Sequence, residues 1–440
     1  MSEGRAVSLP ASAVGAAKLA TNVVGAYARI RKQFRVPIAE MGGVQEALAR
    51  IASETFILTS AQSLVNAMLA NHEQPAVLSA VMKYETTSRS RLVVNDAMDV
   101  MGGAGICRGP NNVFGNGYMA QPIAITVEGA NILTRCLMIF GQGLNRAHPN
   151  LINIINTIEK GDDPNGFMKE VGGMISHFGV NAARSLSGAV IRPMSKANLS
   201  TYYEGQLSRL ASNFAVTVDL ALVLGGGLKT AEMVSGRLAD AFSTLYLGYA
   251  CVWFYNRNRQ VQGIDTIFEL AMENILAQNQ AALKGVAANF PVPGIGTIMS
   301  ALTFPLGSPF KGPSDALRVK ATKLITLESG IRSLLSEGIF ISKDKDDRVR
   351  MMNDALPLVI KTDAMLAKAK KEKRALTPEE QKEVDKVAAI VDRIIQVDSF
   401  EKLGIEKHMD DNYVRPALRG TRFVEEKVPV HARSAASARA

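Results

Sequence analysis

PIAITVEGANILTRCLMIFGQG, residues 122–143, decides how the rest of the chain is read. The β-branched run Ile125, Thr126 and Val127 delivers one carboxylate, Glu128, onto the step Gly129-Ala130, and an apolar helix is expected to begin at once. Ile132, Leu133, Cys136, Leu137 and Phe140 recur at three-to-four spacing, and Gly143 is the expected stop. Glu128 therefore stands at the mouth of a helix with one buried face. A carboxylate drawn toward apolar surroundings becomes a better proton acceptor near neutral pH. The plainer alternative is a first-turn acid favoured by the helix dipole.

Composition extends the helical reading to the whole chain. Of 440 residues, 47% are hydrophobic and 6% aromatic, and no run alternates with the period of a strand. The fold class expected is all-α. Fifty basic residues against forty-one acidic ones give a formal charge of +9. They are spread along the chain, without stacked aromatics or zinc spacing, which argues against nucleic acid and for a polyanionic small molecule or an acidic lipid surface. Cys107, Cys136 and Cys251 lie far apart in apolar contexts and read as reduced core thiols of a cytoplasmic protein. The histidines show no ligand spacing, so no metal site is expected. No signal peptide is apparent at MSEGRAVSLP. The longest apolar run, 241–255, falls short of the roughly 20 residues that span a bilayer.

Working outward, a helix is expected from about Ser8 to Phe34, carrying Val23, Tyr27, Ile30 and Phe34 on one face and ended by Pro37. A second runs from about Val44 to Leu69, and a third from Pro75 to Met101, where the Gly-rich MGGAGICRGPNN follows. With the helix after Glu128 these make an up-and-down bundle over 1–160. GDDPNG, 161–166, is the expected boundary, and a second helical domain follows over 167–430. Within it, 290–315 reads as a long Pro- and Gly-rich loop, better packed on its own domain than exposed. Thr377-Pro378-Glu379-Glu380 is a capping box opening a late helix. Residues 431–440 read as a disordered tail.

Three features in order carry a resemblance: a helix ending in Arg31-Lys32-Gln33-Phe34, the segment Asp99-Val100-Met101-Gly102-Gly103-Ala104-Gly105, and Glu128-Gly129 followed by Arg135. Together they resemble the C-terminal helical domain of acyl-coenzyme A dehydrogenases over about residues 1–150. The full chain, extension included, resembles the C-terminal part of the large bacterial members that degrade fatty acids. The resemblance implies FAD-dependent α,β-dehydrogenation of a medium- or long-chain fatty acyl-CoA to the trans-2-enoyl-CoA in β-oxidation, with Glu128 as the base. Gly129 would let the substrate approach, with Arg5 beside it. Some members place the base just before that Arg, where this chain has Gly4. Arg31, Gln33, Gly102 and Gly103 match cofactor contacts. Asp99 and Ala130 fill two further cofactor positions, where the family usually has Gln and Thr. Expected partners are the acyl-CoA, electron-transfer flavoprotein as electron acceptor, further copies in a homo-oligomer, and the inner membrane face as a peripheral contact. The N-terminal helical domain and middle β domain of the family have no counterpart here. A non-catalytic helical module for oligomerisation or docking is the alternative.

Overall fold

The computed structural model describes residues 2–109, 111–143, 148–160, 163–190 and 195–397. Nearly every element among them is a helix, as the composition demands. α1 spans Ser2–Ile30, α2 Gly42–Ala70, α3 Ala76–Met101, α4 Gly103–Ile106, α5 Gly115–Thr126 and α6 Asn131–Leu133, which continues as a π-helix over Thr134–Gln142. Then come α7 Leu151–Lys160, α8 Pro164–Val190, α9 Leu199–Ala221, α10 Glu232–Arg257, α11 Ile264–Ala288 and α12 Ile295–Thr303. α13 Asp315–Thr326, α14 Gly330–Ser336, α15 Arg348–Lys371 and α16 Pro378–Ile394 complete the series. The one sheet among the described residues is a two-residue hairpin, β1 Lys32–Gln33 against β2 Val36–Pro37, with Lys32 opposite Pro37 and Gln33 opposite Val36. Phe34 and Arg35 take φ of 51° and 68° at its turn, the left-handed pair that matches strand twist in tight hairpins.

That hairpin corrects the first helix, which ends at Ile30 rather than running to Phe34. Val23, Tyr27 and Ile30 are buried, but Phe34 is 90% exposed. The second and third helices fall within three residues of expectation, with Leu48, Ile51, Thr55, Leu58, Val65 and Val81 in the core. α5 was not foreseen. The β-branched run before Glu128 ends this helix, because local propensity yields to context. Residues 290–315 are likewise not one loop. α12 occupies nine of them, and Phe304 and Phe310 are buried. Gln280 of α11 holds the Phe310 backbone from both sides, donating to its carbonyl at 2.8 Å and accepting its N–H at 3.2 Å. The capping box forms as read, Thr377 and Glu380 each accepting the other's backbone N–H. The tail at 431–440 lies outside the described residues.

The chain divides into two compact units, one of residues 1–97 and 118–340, the other of 98–117 and 341–440. The expected boundary at 161–166 thus falls inside the first unit, where helices from both sides of it share one core. α2 packs against α1, α10, α11 and α13. Arg89 of α3 shows how the layers are locked: it donates to Glu85 at 2.6 Å, to Glu54 of α2 at 2.8 Å and to Gln278 of α11 at 2.8 Å. Such a buried cluster is tolerable only because each charge has a partner. Burial pushes the Glu85 carboxyl up while Arg89 pulls it back. By length and composition alone Arg5–Ile30 and Leu199–Lys229 could cross a bilayer. Here both have tertiary partners, α1 in α2 and α13, and α9 in α8, α10 and α11. In the second unit α15 packs on α16, and Arg348 of α15 donates to the carbonyl oxygens of Arg393, Ile394 and Gln396 at the end of α16.

Candidate functional site

Glu128 sits on a sharp turn between α5 and α6. Its φ is 54° and that of Gly129 is 100°. A left-handed non-glycine residue costs on the order of 1–2 kcal/mol, so something must hold it, and Lys83 does. This lysine on α3 is fully buried. Its ammonium donates to Gly129 O and Asn131 Oδ1, both at 2.6 Å, and to Ile125 O at 3.2 Å. One cation thus ties together both flanks of Glu128. Asn131 is fixed in turn, donating to Thr87 Oγ1 and Ser88 Oγ at 2.9 Å. Thr134 donates to Gly129 O at 3.2 Å. Burial lowers the Lys83 pKa, the nearby Arg5 charge lowers it further, and Glu128 raises it. Sequence reading missed Lys83 because 45 residues separate it from Glu128, and a lysine in a helix ordinarily reads as a solvated face.

Arg5, near the start of α1, reaches the same turn. Its Nη2 comes within 3.9 Å of where a Cβ on Gly129 would stand, and its Nη1 lies 3.6 Å from Met138 Sδ. Its Nε is buried without a partner among the described residues. The structure therefore brings Glu128, Gly129, Ala130 and Arg5 together. The helix beyond them differs from expectation. Ile132 is 81% exposed and Leu133 also faces outward, while Cys136, Ile139 and Phe140 are buried. Ile132 and Leu133 belong to α6, which precedes the π-helix of Thr134–Gln142 that carries the buried residues. Arg135 faces α10, where it grips Asp240 with two bonds of 2.7 and 2.5 Å. Glu128 itself is exposed, not set against the buried face. Around it every residue of α5 escapes burial, including Tyr118, Met119 and Ile123, and Val127 is exposed as well.

The other expected positions lie elsewhere. Arg31 follows the C-terminal end of α1, and Gln33 is on the hairpin. At ~1.5 Å per residue the helix carries Arg31 about 38 Å from Arg5, so one chain does not bring Arg31 and Glu128 to one place. Asp99, Gly102 and Gly103 belong to the second compact unit. There Gly102, with φ 58°, turns the chain from α3 into α4. A Cβ on Gly102 would meet nothing within 4 Å, so its requirement is conformational, whereas one on Gly105 would press on Met98 O at 2.8 Å. Asp99, Gly102 and Gly103 are all exposed. The structure also assembles a group that spacing concealed, His148, His177 and Asp219, from three separate segments.

The chain matches two family descriptions that adjoin in sequence. "Acyl-CoA dehydrogenase, C-terminal domain" matches residues 2–138, and "Acyl-CoA dehydrogenase, C-terminal, bacterial type" matches residues 145–377. Among solved structures, an acyl-CoA dehydrogenase from Bacillus anthracis complexed with FAD is similar at 17% identity and a TM-score of 0.55, over 74% of this chain and 55% of that one. An acyl-CoA oxidase-1 in Caenorhabditis elegans, complexed with FAD and ATP, is similar at 13% identity and a TM-score of 0.51, over 88% of this chain and 57% of that one. At such identities the likeness is one of fold. The chain spans little more than half the length of either.

Proposed function

Because the chain belongs to the acyl-CoA dehydrogenase family, we propose that it supplies the catalytic base and one wall of an FAD-dependent acyl-CoA dehydrogenase, with Glu128 as that base. The observation that carries this reading is the pinned turn: a carboxylate held in a strained left-handed conformation by a buried lysine, beside an arginine and a glycine. Strain of this kind persists where the surrounding structure over-determines it. The Glu128 carboxylate would take the proton from the carbon α to the thioester. Gly129, lacking a Cβ, leaves the substrate room at the backbone. Arg5 brings a positive charge to the same turn, its guanidinium close to Gly129. FAD, when bound, accepts the hydride from the β-carbon. Of the residues expected to hold it, Arg31 offers a guanidinium suited to phosphate, and the Gly102-Gly103 turn offers exposed backbone. Each by itself suits a phosphate group, while the exposed Asp99 carboxylate near the Gly102-Gly103 turn does not suit a pyrophosphate. With Arg31 about 38 Å along α1 from the Glu128 end, the fit requires a second copy, in keeping with a homo-oligomer.

The uncovered apolar face of α5 and Ile132 supports the remaining half of the proposal. A patch of this sort marks a surface that something covers, and the acyl chain and the parts of the enzyme that this chain does not match would do so. Medium- or long-chain acyl-CoA of β-oxidation, electron-transfer flavoprotein as acceptor, and a cytoplasmic site touching the inner membrane complete the reading. The same patch suits a non-catalytic docking module, and one measurement separates the two. The purified chain should show flavin absorbance near about 450 nm, bleached by added acyl-CoA in the wild type and not in Glu128→Gln. A colourless chain that does not respond to acyl-CoA, even with FAD supplied, would leave the docking module standing.

A further inference from the structure

Far from Glu128 in sequence, the group His148, His177 and Asp219 has a definite proton arrangement. His148 Nδ1 accepts the backbone N–H of Asn150 and of Leu151, each at 3.2 Å, at the start of α7. That nitrogen therefore carries no proton, and the ring's hydrogen is on Nε2, donated to Asp219 Oδ1 at 2.9 Å. His177 Nδ1 lies 2.9 Å from Asp219 Oδ2. A carboxylate only accepts, so this nitrogen donates as well, and His177 Nε2 has no hydrogen-bond partner among the described residues. The three groups are close enough to suggest a cation, their candidate atoms lying within 4.8 Å of one another. The hydrogen bonds oppose it. A metal on His148 Nε2 would require a proton on Nδ1, aimed at two N–H donors that need an acceptor there.

His148, His177 and Asp219 line a cavity of about 200 Å³. The rest of the wall is apolar, with Val77, Ile139, Phe140, Phe214, Val218 and Phe242. An apolar hollow with one convergent polar feature is the ordinary form of a small-molecule site. Since a cavity of about 150 Å³ holds benzene, roughly six to eight non-hydrogen atoms would fit. Asp219 already buries one negative charge here, its side chain 4% exposed. A carboxylate ligand would have to bring a proton with it, and an ammonium has three N–H donors to satisfy against an otherwise apolar lining. A neutral hydroxyl meets neither obstacle.

We infer that this cavity binds a small neutral amphiphile, an apolar body ending in a hydroxyl, which hydrogen-bonds at His177 Nε2. The site is independent of the Glu128 reading. Ligand-observed NMR and calorimetry on the whole chain test it with p-cresol and toluene, which share a body and differ by the hydroxyl. p-Cresol should bind, toluene at least tenfold more weakly, as loss of a buried hydrogen bond requires. Ala215→Leu, which fills the cavity from α9, should abolish both signals while circular dichroism stays unchanged. His177→Ala should bring p-cresol down to the toluene level. Four results overturn the inference: no p-cresol binding, equal affinity for toluene, p-cresol binding that survives Ala215→Leu in a folded chain, or stoichiometric Zn²⁺ binding that His177→Ala removes.

Discussion

Lys83→Met keeps the stem of the side chain and deletes its ammonium, so it asks directly what holds the Glu128 turn. The three acceptors do not suffer equally. Ile125 O, near the end of α5, can turn to water, and Gly129 O keeps the Thr134 hydroxyl at 3.2 Å. Asn131 Oδ1 loses the 2.6 Å bond from Lys83 in a buried side chain. A buried acceptor stripped of a charged donor costs about 1–3 kcal/mol. Adding a smaller loss at Gly129 and subtracting the relief of no longer burying an ammonium leaves a net destabilisation of about 2–3 kcal/mol. Urea titration followed by circular dichroism would read this as a lower midpoint at unchanged slope. Hydrogen exchange would rise first at residues 128–131. The pH dependence has a definite sign. Because the folded chain holds the Lys83 pKa below its ordinary 10.5, the unfolded chain keeps that proton longer, and wild-type stability gains on the variant as pH climbs toward 10.5. A loss below about 0.5 kcal/mol, the range of neutral surface changes, or exchange at the turn equal to wild type, would refute the claim that Lys83 holds it.

Gly25→Ala would drive a Cβ of α1 into the carbonyl oxygen of Ile325 on α13, so a loss of about 3 kcal/mol or failure to fold is expected, read by thermal melting. Among the three thiols, Cys107 is half-exposed while Cys136 and Cys251 are buried, and burial pushes the Cys251 thiol up to about 12. Maleimide at neutral pH should label Cys107 alone in the native chain and all three in denaturant, counted by mass spectrometry. At the capping box, the Arg374 guanidinium and the Thr377 N–H hold the Glu380 carboxyl down at about 2. Its support for α16 is complete above the ordinary carboxylate range and is lost as pH falls toward about 2, so amides of 378–381 should lose protection relative to their intrinsic exchange rates at low pH. Thr377→Ala, costing about 1 kcal/mol, should reproduce that fraying at neutral pH.

Much of this was legible in the residues. Apolar spacing and low aromatic content give an all-α chain, and α2, α3 and the Thr377 cap lie where their patterns place them. Glu128, Gly129 and Arg5 were named from sequence and meet in space. What was hidden has physical causes. Ile132 continues the apolar spacing of Cys136 and Phe140 but stands exposed on α6, and spacing alone does not say which end of a helical run is covered. Lys83 and the His148–Asp219–His177 group depend on contacts between distant segments, and no local period encodes those. The boundary at 161–166 is rich in turn formers, yet turns punctuate a single core as readily as they separate two. α5 was obscured because Ile125, Thr126 and Val127 favour strands in isolation.

The length of α1 has a consequence for heredity. With Arg5 at one end and Arg31 at the other, about 38 Å apart, lesions at the two ends fall in different halves of any site built between copies. A cell carrying one allele with Arg31→Ala and another with Glu128→Gln would then assemble mixed particles in which some sites draw both wild-type halves. On the roles proposed for Arg31 and Glu128, two such alleles of the same gene would complement each other, and neither would do so with a second copy of itself.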